Sequence, residues 1–335
     1  MIRFTEQRLQ QIIQSAAGKK ILILGDLMVD EYMWGRVSRI SPEAPVPIIN
    51  ISEEQLRLGG AANVAANLLG LNTEPVLAGV IGDDPMGKNL RRLLQGQQLS
   101  LQGVLSDPQR PTTVKTRIIG NNQHVARVDR ETTERISGEM QQQLFQFFIE
   151  NIQDAGAVIL QDYNKGVVAP ELAERVIELA NRCNVITTVD PKFENFHSFK
   201  NVTVFKPNIK ETEEALAMRI RNEADLTSAG NILLEKLGCG AALITRGSLG
   251  MALFEKGAGS TFLATRARKV ADVSGAGDTV IATLTFALCG GASIKEAVAL
   301  ANYAAGQVCQ EVGVVAVDLP RLVKQIIKNQ DSFED

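Results

Sequence analysis

Late in the chain, Gly275-Ala276-Gly277-Asp278 couples a permissive backbone to a carboxylate and runs into an apolar helical pattern, Val280-Ile281-Ala282-Thr283-Leu284. Glycines just before a helix let backbone N–H groups approach an anion closely, and the helix N-terminus favours negative charge there. An aspartate in that first turn has two possible uses. It can be a favourable end charge with no further role. Beside an anion hole, it can accept a hydroxyl proton while the amides stabilise a transferring phosphoryl group. The tetrad alone leaves both uses open. It is not a dinucleotide fingerprint, because Val280 stands where the third glycine would fall, and the sequence has no Walker A run.

Other runs with chemical potential follow apolar, strand-like segments. Gly25-Asp26-Leu27-Met28-Val29-Asp30 puts two carboxylates after the first of these, at the edge where open α/β sheets bind ligands. Gly59-Gly60-Ala61-Ala62-Asn63 opens a small-residue helix, so that backbone and Asn63 can approach a polyhydroxyl ligand. Thr245-Arg246-Gly247-Ser248-Leu249-Gly250 offers a glycine-bearing turn suited to a nucleotide phosphate. Lys192, in Asp190-Pro191-Lys192, can act as a point charge on phosphate, and Asn208 and Glu211 offer oxygen ligands to hydrated magnesium. Each run also has a plainer reading: a turn, a packing contact, or a helix-capping asparagine with an exposed glutamate.

These runs must be positioned by alternating short β-branched segments and longer helical patterns, which predict a mostly parallel sheet covered on both faces. Strands are expected at Lys20–Leu24, Val76–Val80, Ala157–Leu160, Val185–Val189, Val202–Phe205 and Ala241–Thr245. Helices are expected near 60–70, 85–95, 137–151, 170–181, 209–217, 223–237, 277–289, 293–309 and 319–329. Residues 31–56 and 101–130 break the alternation. They read as two insertions forming a small β-sheet that could act as a lid, or as surface hairpins without function. Asn121-Asn122 supplies a hairpin turn within the second.

Composition removes other classes. The 335 residues are 45% hydrophobic and 22% charged with net charge −3, a globular balance with no basic surface for nucleic acid or anionic membrane. Cys183, Cys239, Cys289 and Cys309 lack C-x-x-C spacing, so a zinc site or disulfide framework is not expected and a reducing cytoplasm suits the chain. His124 and His197 are the only histidines, and Trp34 with three tyrosines forms no aromatic ladder. The charged N-terminal residues do not read as a signal peptide, and no run is long enough to span a membrane.

In their order and spacing the runs resemble the ribokinase-like (PfkB-type) carbohydrate kinases, from about Lys20 to about Val323. The resemblance implies a single domain over 1–335: a three-layer α/β/α sandwich with a small β-sheet lid. It implies that Asp278 is the base and that Gly275, Ala276 and Gly277 form the anion hole. Asp26, Asp30, Gly59, Gly60 and Asn63 would lie on the sugar side. Asn208 and Glu211 match an N-x-x-E motif associated with Mg²⁺ and phosphate. Thr245, Gly247, Gly250, Asn302 and Ala305 match the ATP side. A monovalent cation such as K⁺ is a further cofactor to consider, and the unpaired edges of the lid strands, which need covering, point to a homodimer paired through the lid.

Asp30 through Pro47, with Asp190-Pro191-Lys192, is similar to the D-glycero-β-D-manno-heptose 7-phosphate kinases, which make a lipopolysaccharide precursor by phosphorylating the C1 hydroxyl. Some carry a nucleotidyltransferase domain with an H-x-G-H motif, which this sequence lacks. Arg39, Arg117, Arg127 and Lys192 are the cations expected to serve a distal phosphate. Three departures stand out: Ser274, Leu58, and Glu311-Val312-Gly313-Val314-Val315 where lysine-valine-glycine-threonine is usual. On this reading Asp278 needs no raised pKa, since an ordinary aspartate is ionised at neutral pH. The rivals are a kinase for another sugar, sugar phosphate or nucleoside, and a non-catalytic sugar- or nucleotide-binding regulator.

Overall fold

Successive residues of a strand point to opposite faces, so a run apolar throughout must bury both. Lys20-Ile21-Leu22-Ile23-Leu24 does this: Ile21 and Ile23 join one core, Leu22 and Leu24 another. A computed structural model describes residues 2–121, 123–267 and 270–331. Among these, nine strands form one sheet: β1 (Lys20–Gly25), β4 (Glu74–Gly82), β5 (Gly103–Asp107), β8 (Ala155–Gln161), β9 (Ile186–Asp190), β10 (Val204–Phe205), β11 (Ala241–Thr245), β12 (Met251–Glu255) and β13 (Gly259–Leu263). The spatial order is β13-β12-β11-β10-β9-β8-β1-β4-β5. All neighbours are parallel except β11/β12 and β12/β13.

Helices α1 (Glu6–Ala16), α2 (Ala61–Gly70), α3 (Pro85–Gly96), α8 (Ala276–Cys289), α9 (Ile294–Val308) and α10 (Leu319–Asp331) cover one face. The other face carries α4 (Gly138–Asn151), α5 (Pro170–Arg182), α6 (Ile209–Leu216) and α7 (Glu223–Leu237). The expected three-layer α/β/α sandwich is thus present.

A second sheet stands off the first. It comprises β2 (Leu27–Ile40), β3 (Pro47–Gly60), β6 (Thr113–Gly120) and β7 (Gln123–Arg130), in the order β3-β2-β6-β7. Its boundaries differ from expectation. β2 begins one residue after β1 and β3 runs on to Gly60, so the small sheet is continuous with the sugar-side runs at both ends. Residues 103–107, expected in the small sheet, pair instead with β4, because Val104 is apolar and buried in the main core. The β6/β7 hairpin closes across Gly120 and Gln123 with Asn121 left-handed at φ 52°, while Asn122 lies outside the described residues. Among the described residues, one α-helix and two strands lie outside the expected set. α1 buries Leu9, Ile12 and Ala16, and β12 and β13 fold back as an antiparallel edge.

Asp84 joins the two sheets. Its carboxylate caps α3 through Gly87 N–H at 2.7 Å and accepts the amide and hydroxyl of Thr112, both at 2.8 Å, just before β6. Asp84→Ala is expected to lower the unfolding free energy by about 2 kcal/mol or more, because a cap and two further bonds are lost. Denaturant titration checks this.

Candidate active site

The carboxyl ends of the parallel strands deliver Asp26 after β1, Gln161 at the end of β8 and Tyr163 beyond it, Asp190 at the end of β9, Lys206 after β10 and Thr245 at the end of β11. Helix α8 aims its N-terminus at the same edge. Gly275, at its N-cap, has φ 76°, and a Cβ there would come 2.8 Å from Asn63 Nδ2, so the position requires glycine. Asp278 follows in the first turn and is 3% exposed. Its Oδ2 accepts from Asn63 Nδ2 at 2.8 Å, and its Oδ1 from Tyr163 Oη at 2.7 Å and Gln161 Nε2 at 3.1 Å. Asn63 is oriented in turn by Asn67, whose Oδ1 also accepts the Thr279 hydroxyl at 2.9 Å.

Gln161 bridges Asp278 to Asp190, 3.1 Å from its Oδ2, and Lys206 pairs with that same oxygen at 2.9 Å. Lys192 pairs with Glu211 and lies over the Tyr163 ring at 5.4 Å. Burial pushes the Asp278 carboxyl up to about 7, although the bonds from Tyr163 and Asn63 favour the ion. The expectation of an ordinary aspartate is corrected on this point. The loss of water at Asp278 outweighs the donors that replace it.

Ala276 and Gly277 also line an apolar slot of about 250 Å³. Thr245, Gly247, Gly250, Asn302 and Ala305 line the same slot, with Val273, Val280 and Cys309 among its walls. Gly247 and Gly250 both have positive φ, at 55° and 86°. The structure therefore brings this whole expected set together with the head of α8.

On the opposite side Asp30 is buried, paired with Arg117 and set against Gly59. Gly60, left-handed at φ 56°, opens α2 and so presents Asn63. Asp26 is placed differently. Its oxygens accept the backbone N–H groups of Tyr163 (2.7 Å), Lys165 (3.1 Å) and Val167 (3.1 Å), so it holds the loop that carries Tyr163 rather than facing a sugar. Arg127 is bound to Asp129 in an ion pair on exposed β7, and Arg39 is exposed at the far end of β2.

Asn208 is a helix cap. Its oxygen accepts the Glu211 N–H, and Glu211 reciprocates to the Asn208 N–H, both at 2.8 Å, so the asparagine is not a free metal ligand. Glu211, however, is buried, with Lys192 on its second oxygen. Among the described residues no three His, Cys, Asp or Glu side chains cluster for a metal. The donor set on this edge, Asp190 and Glu211 with a lysine on each, suits a magnesium ion that keeps water and is held chiefly by phosphates.

Sequence reasoning missed Gln161, Tyr163 and Lys206, and singled out the Asp190-Pro191-Lys192 run without giving Asp190 a role of its own. All four follow or end a parallel strand, so the rule applied to Asp26 would have found them.

A raised pKa has a consequence for stability. In the unfolded chain Asp278 loses its proton near pH 4, whereas the fold retains it to about 7, so stability from this group is full below pH 4 and falls through that window. The melting temperature of Asp278→Asn relative to the parent is expected to rise between pH 5 and pH 8. A difference independent of pH would contradict the shift.

Residues 19–321 match the family model described as pfkB family carbohydrate kinase. The bifunctional protein HldE of Helicobacter pylori (strain HPAG1) is 41% identical over 312 residues, 93% of this chain and 67% of that protein. The bifunctional protein HldE of Geotalea uraniireducens (strain Rf4) is 39% identical over 320 residues, 96% of this chain and 65% of that one. The chain thus spans about two thirds of the length of these relatives. Among solved structures, Arabidopsis thaliana ribokinase complexed with ribose and ATP is similar at TM-score 0.72 and 21% identity, covering 93% of this chain and 99% of that one. Escherichia coli phosphofructokinase-2 with fructose-6-phosphate is similar at TM-score 0.77 and 16% identity, covering 94% and 99%. At those identities the structures speak for the fold. The family match and the relatives near 40% identity carry the assignment: the chain belongs to the pfkB family of carbohydrate kinases, phosphotransferases that use an alcohol group as acceptor.

Proposed function

We propose that the chain transfers the γ-phosphoryl group of ATP to the C1 hydroxyl of D-glycero-β-D-manno-heptose 7-phosphate, with Asp278 as the base. The observation that carries the chemistry is the buried Asp278 carboxylate at the head of α8, facing the edge where the apolar slot ends. The nucleotide base would lie in that slot and its phosphates along Ala276 and Gly277. Asp278 takes the hydroxyl proton as the C1 oxygen bonds to phosphorus and the bond to the β-phosphate oxygen breaks, releasing ADP. The N-terminal amides of α8, with Lys192 and Lys206, offset charge on the transferring group. Mg²⁺ bound with the nucleotide would neutralise phosphate charge, with Asp190 and Glu211 toward its waters.

The sugar identity rests on the relatives named HldE and on the Asp30–Pro47 run, with a phosphate end served by the cations of the small sheet. We further propose that this sheet closes over the sugar and pairs two protomers. β7 is exposed along its length, and Ile40, Val46, Ile51, Val125 and Val128 are exposed on the same sheet and its β2–β3 turn, a pattern that calls for a cover. Sedimentation or light scattering that finds only monomers removes the dimer.

In the free enzyme the base must be ionised. The value of kcat/KM is expected to rise about tenfold per pH unit below about 7 and to level above it, and Asp278→Asn is expected to lose about 10²–10⁴-fold. ADP release should be measured with heptose 7-phosphate, heptose, fructose 6-phosphate, ribose and a nucleoside. Preference for any acceptor but the first removes the heptose assignment, and full activity in Asp278→Asn removes the base.

A further inference from the structure

The segment Glu311–Val315, which departs from the usual sequence, is held from two sides. From the small sheet, Arg57 on β3 donates through Nη1 to the carbonyls of Val312 (3.2 Å) and Val314 (3.0 Å). Tyr32 on β2, fully buried, accepts the Val314 N–H at 3.2 Å. Gly313 has φ 78°, and a Cβ there would come 2.5 Å from Arg57 Nη1 and 3.2 Å from the Tyr32 ring, so the segment is moulded round these two side chains. From the other side, Gly313 N–H donates to Asp272 Oδ2 at 3.0 Å, and Asp272 Oδ1 accepts the Ser274 N–H at 2.9 Å. Ser274 immediately precedes Gly275. Val314 also lies against that glycine, 3.2 Å from where its Cβ would be.

Tyr32 faces the sugar side as well. The Arg117 guanidinium, paired with Asp30, lies 5.2 Å from its ring centre and that of Arg57 lies 5.0 Å from it, while Trp34 stacks on it at 5.3 Å. Gln55 completes the fixation of Arg57, accepting from Nε at 2.9 Å and Nη2 at 2.7 Å. An unbroken chain of contacts therefore runs from Asp30 and Arg117, through Tyr32 and Arg57, to the 312–314 segment and on through Asp272 to the turn bearing Asp278.

We propose that Arg57 and Tyr32 are positioning residues: they set the Gly275–Asp278 turn through the 312–314 segment, so that its geometry depends on the seating of the small sheet. This rests on the reading of that turn as the phosphoryl-transfer site. Neither residue touches the reacting atoms. Their effect falls on the rate of transfer, because small misplacements of a catalytic constellation cost rate more than affinity. The guanidinium is suited to the task because one planar group bonds two carbonyls and a carboxamide while lying over a ring.

Steady-state kinetics of Arg57→Ala, Arg57→Lys and Tyr32→Phe should be compared with Arg91→Ala. That control removes another guanidinium–carbonyl bond, to Val104 at 2.9 Å on the far edge of the large sheet. Arg57→Ala is expected to lose about 30–100-fold in kcat with KM for ATP within about threefold of the parent, and added guanidinium ion to restore about tenfold. Tyr32→Phe is expected to lose about 3–10-fold in kcat. Arg91→Ala is expected to keep the parent kcat and not to respond to guanidinium. The proposal is overturned if kcat survives in Arg57→Ala, if the loss lies in KM alone, or if guanidinium fails to restore it. Where Arg57→Ala does not fold, the kcat-to-KM split in Arg57→Lys and Tyr32→Phe decides. A parent inactive on every sugar counts against the proposed function, whereas an active parent with active variants counts against this inference alone.

Discussion

A carboxylate that is 3% exposed has lost nearly all its water, and charge can be kept there only by donors that replace it. Asp278 has three, from two distant parts of the chain: Asn63 from α2, and Gln161 from the end of β8 with Tyr163 just beyond it. Much of the architecture can be understood as what holds those donors still. Asn67 orients Asn63, and three backbone bonds to Asp26 fix the loop of Tyr163. The result is a carboxylate poised near neutrality. Under the proposed function it would be ionised often enough to accept a proton and basic enough to draw one from a hydroxyl.

The same buried arrangement explains the charge order along the sheet edge. Asp190 sits between Gln161 and Lys206, so a second carboxylate close to Asp278 is neutralised by a buried cation. Burial works against the charge on Lys192 too, yet Asp190 and Glu211 hold its pKa above the usual lysine value. Lys192 therefore remains cationic where an anion would arrive. Acid and cation alternate along strand ends that were brought side by side by parallel pairing alone.

How much of this was legible in the sequence depended on whether a residue's role was local. Gly275 declares itself because a glycine before an apolar helix marks a backbone that must turn or approach something closely, and the strands declare themselves by unbroken β-branched runs. Gln161, Tyr163 and Lys206 declare a place at a strand end but not what they meet there. Their neighbours in space are 117, 115 and 16 positions away, at Asp278, Asp278 and Asp190, and nothing in their own segments marks the meeting. Asp26 and Asn208 mislead in the opposite direction. An aspartate at a strand end and an asparagine three residues before a glutamate suit ligands as well as they suit backbone amides, and here the amides have them. β5 was misplaced for a third reason: five residues carry too little pattern to show which of two sheets they join.

The charged face of the small sheet follows from its register. Arg57, Asp30, Lys115 and Asp129 form one row across the four strands, and Gln55, Tyr32, Arg117 and Arg127 the next. Strand pairing has thus collected four cations on one face, and each already has a partner. Arg57 is held by Gln55 and the 312–314 carbonyls. Arg117 holds Asp30, Arg127 holds Asp129, and Lys115 holds both Asp129 and Glu131, with Lys165 on the far oxygen of Glu131 at 2.9 Å. An anionic group arriving here does not meet bare positive charge. It exchanges with a carboxylate, and the gain is the difference between two ion pairs rather than the whole of one. Such a face discriminates by geometry. A group that satisfies two cations at once displaces a carboxylate at little net cost, whereas one that reaches a single cation leaves another unpaired. Under the proposed function, selectivity for the distal end of the sugar would therefore depend as much on Asp129 and Glu131 as on the cations they hold.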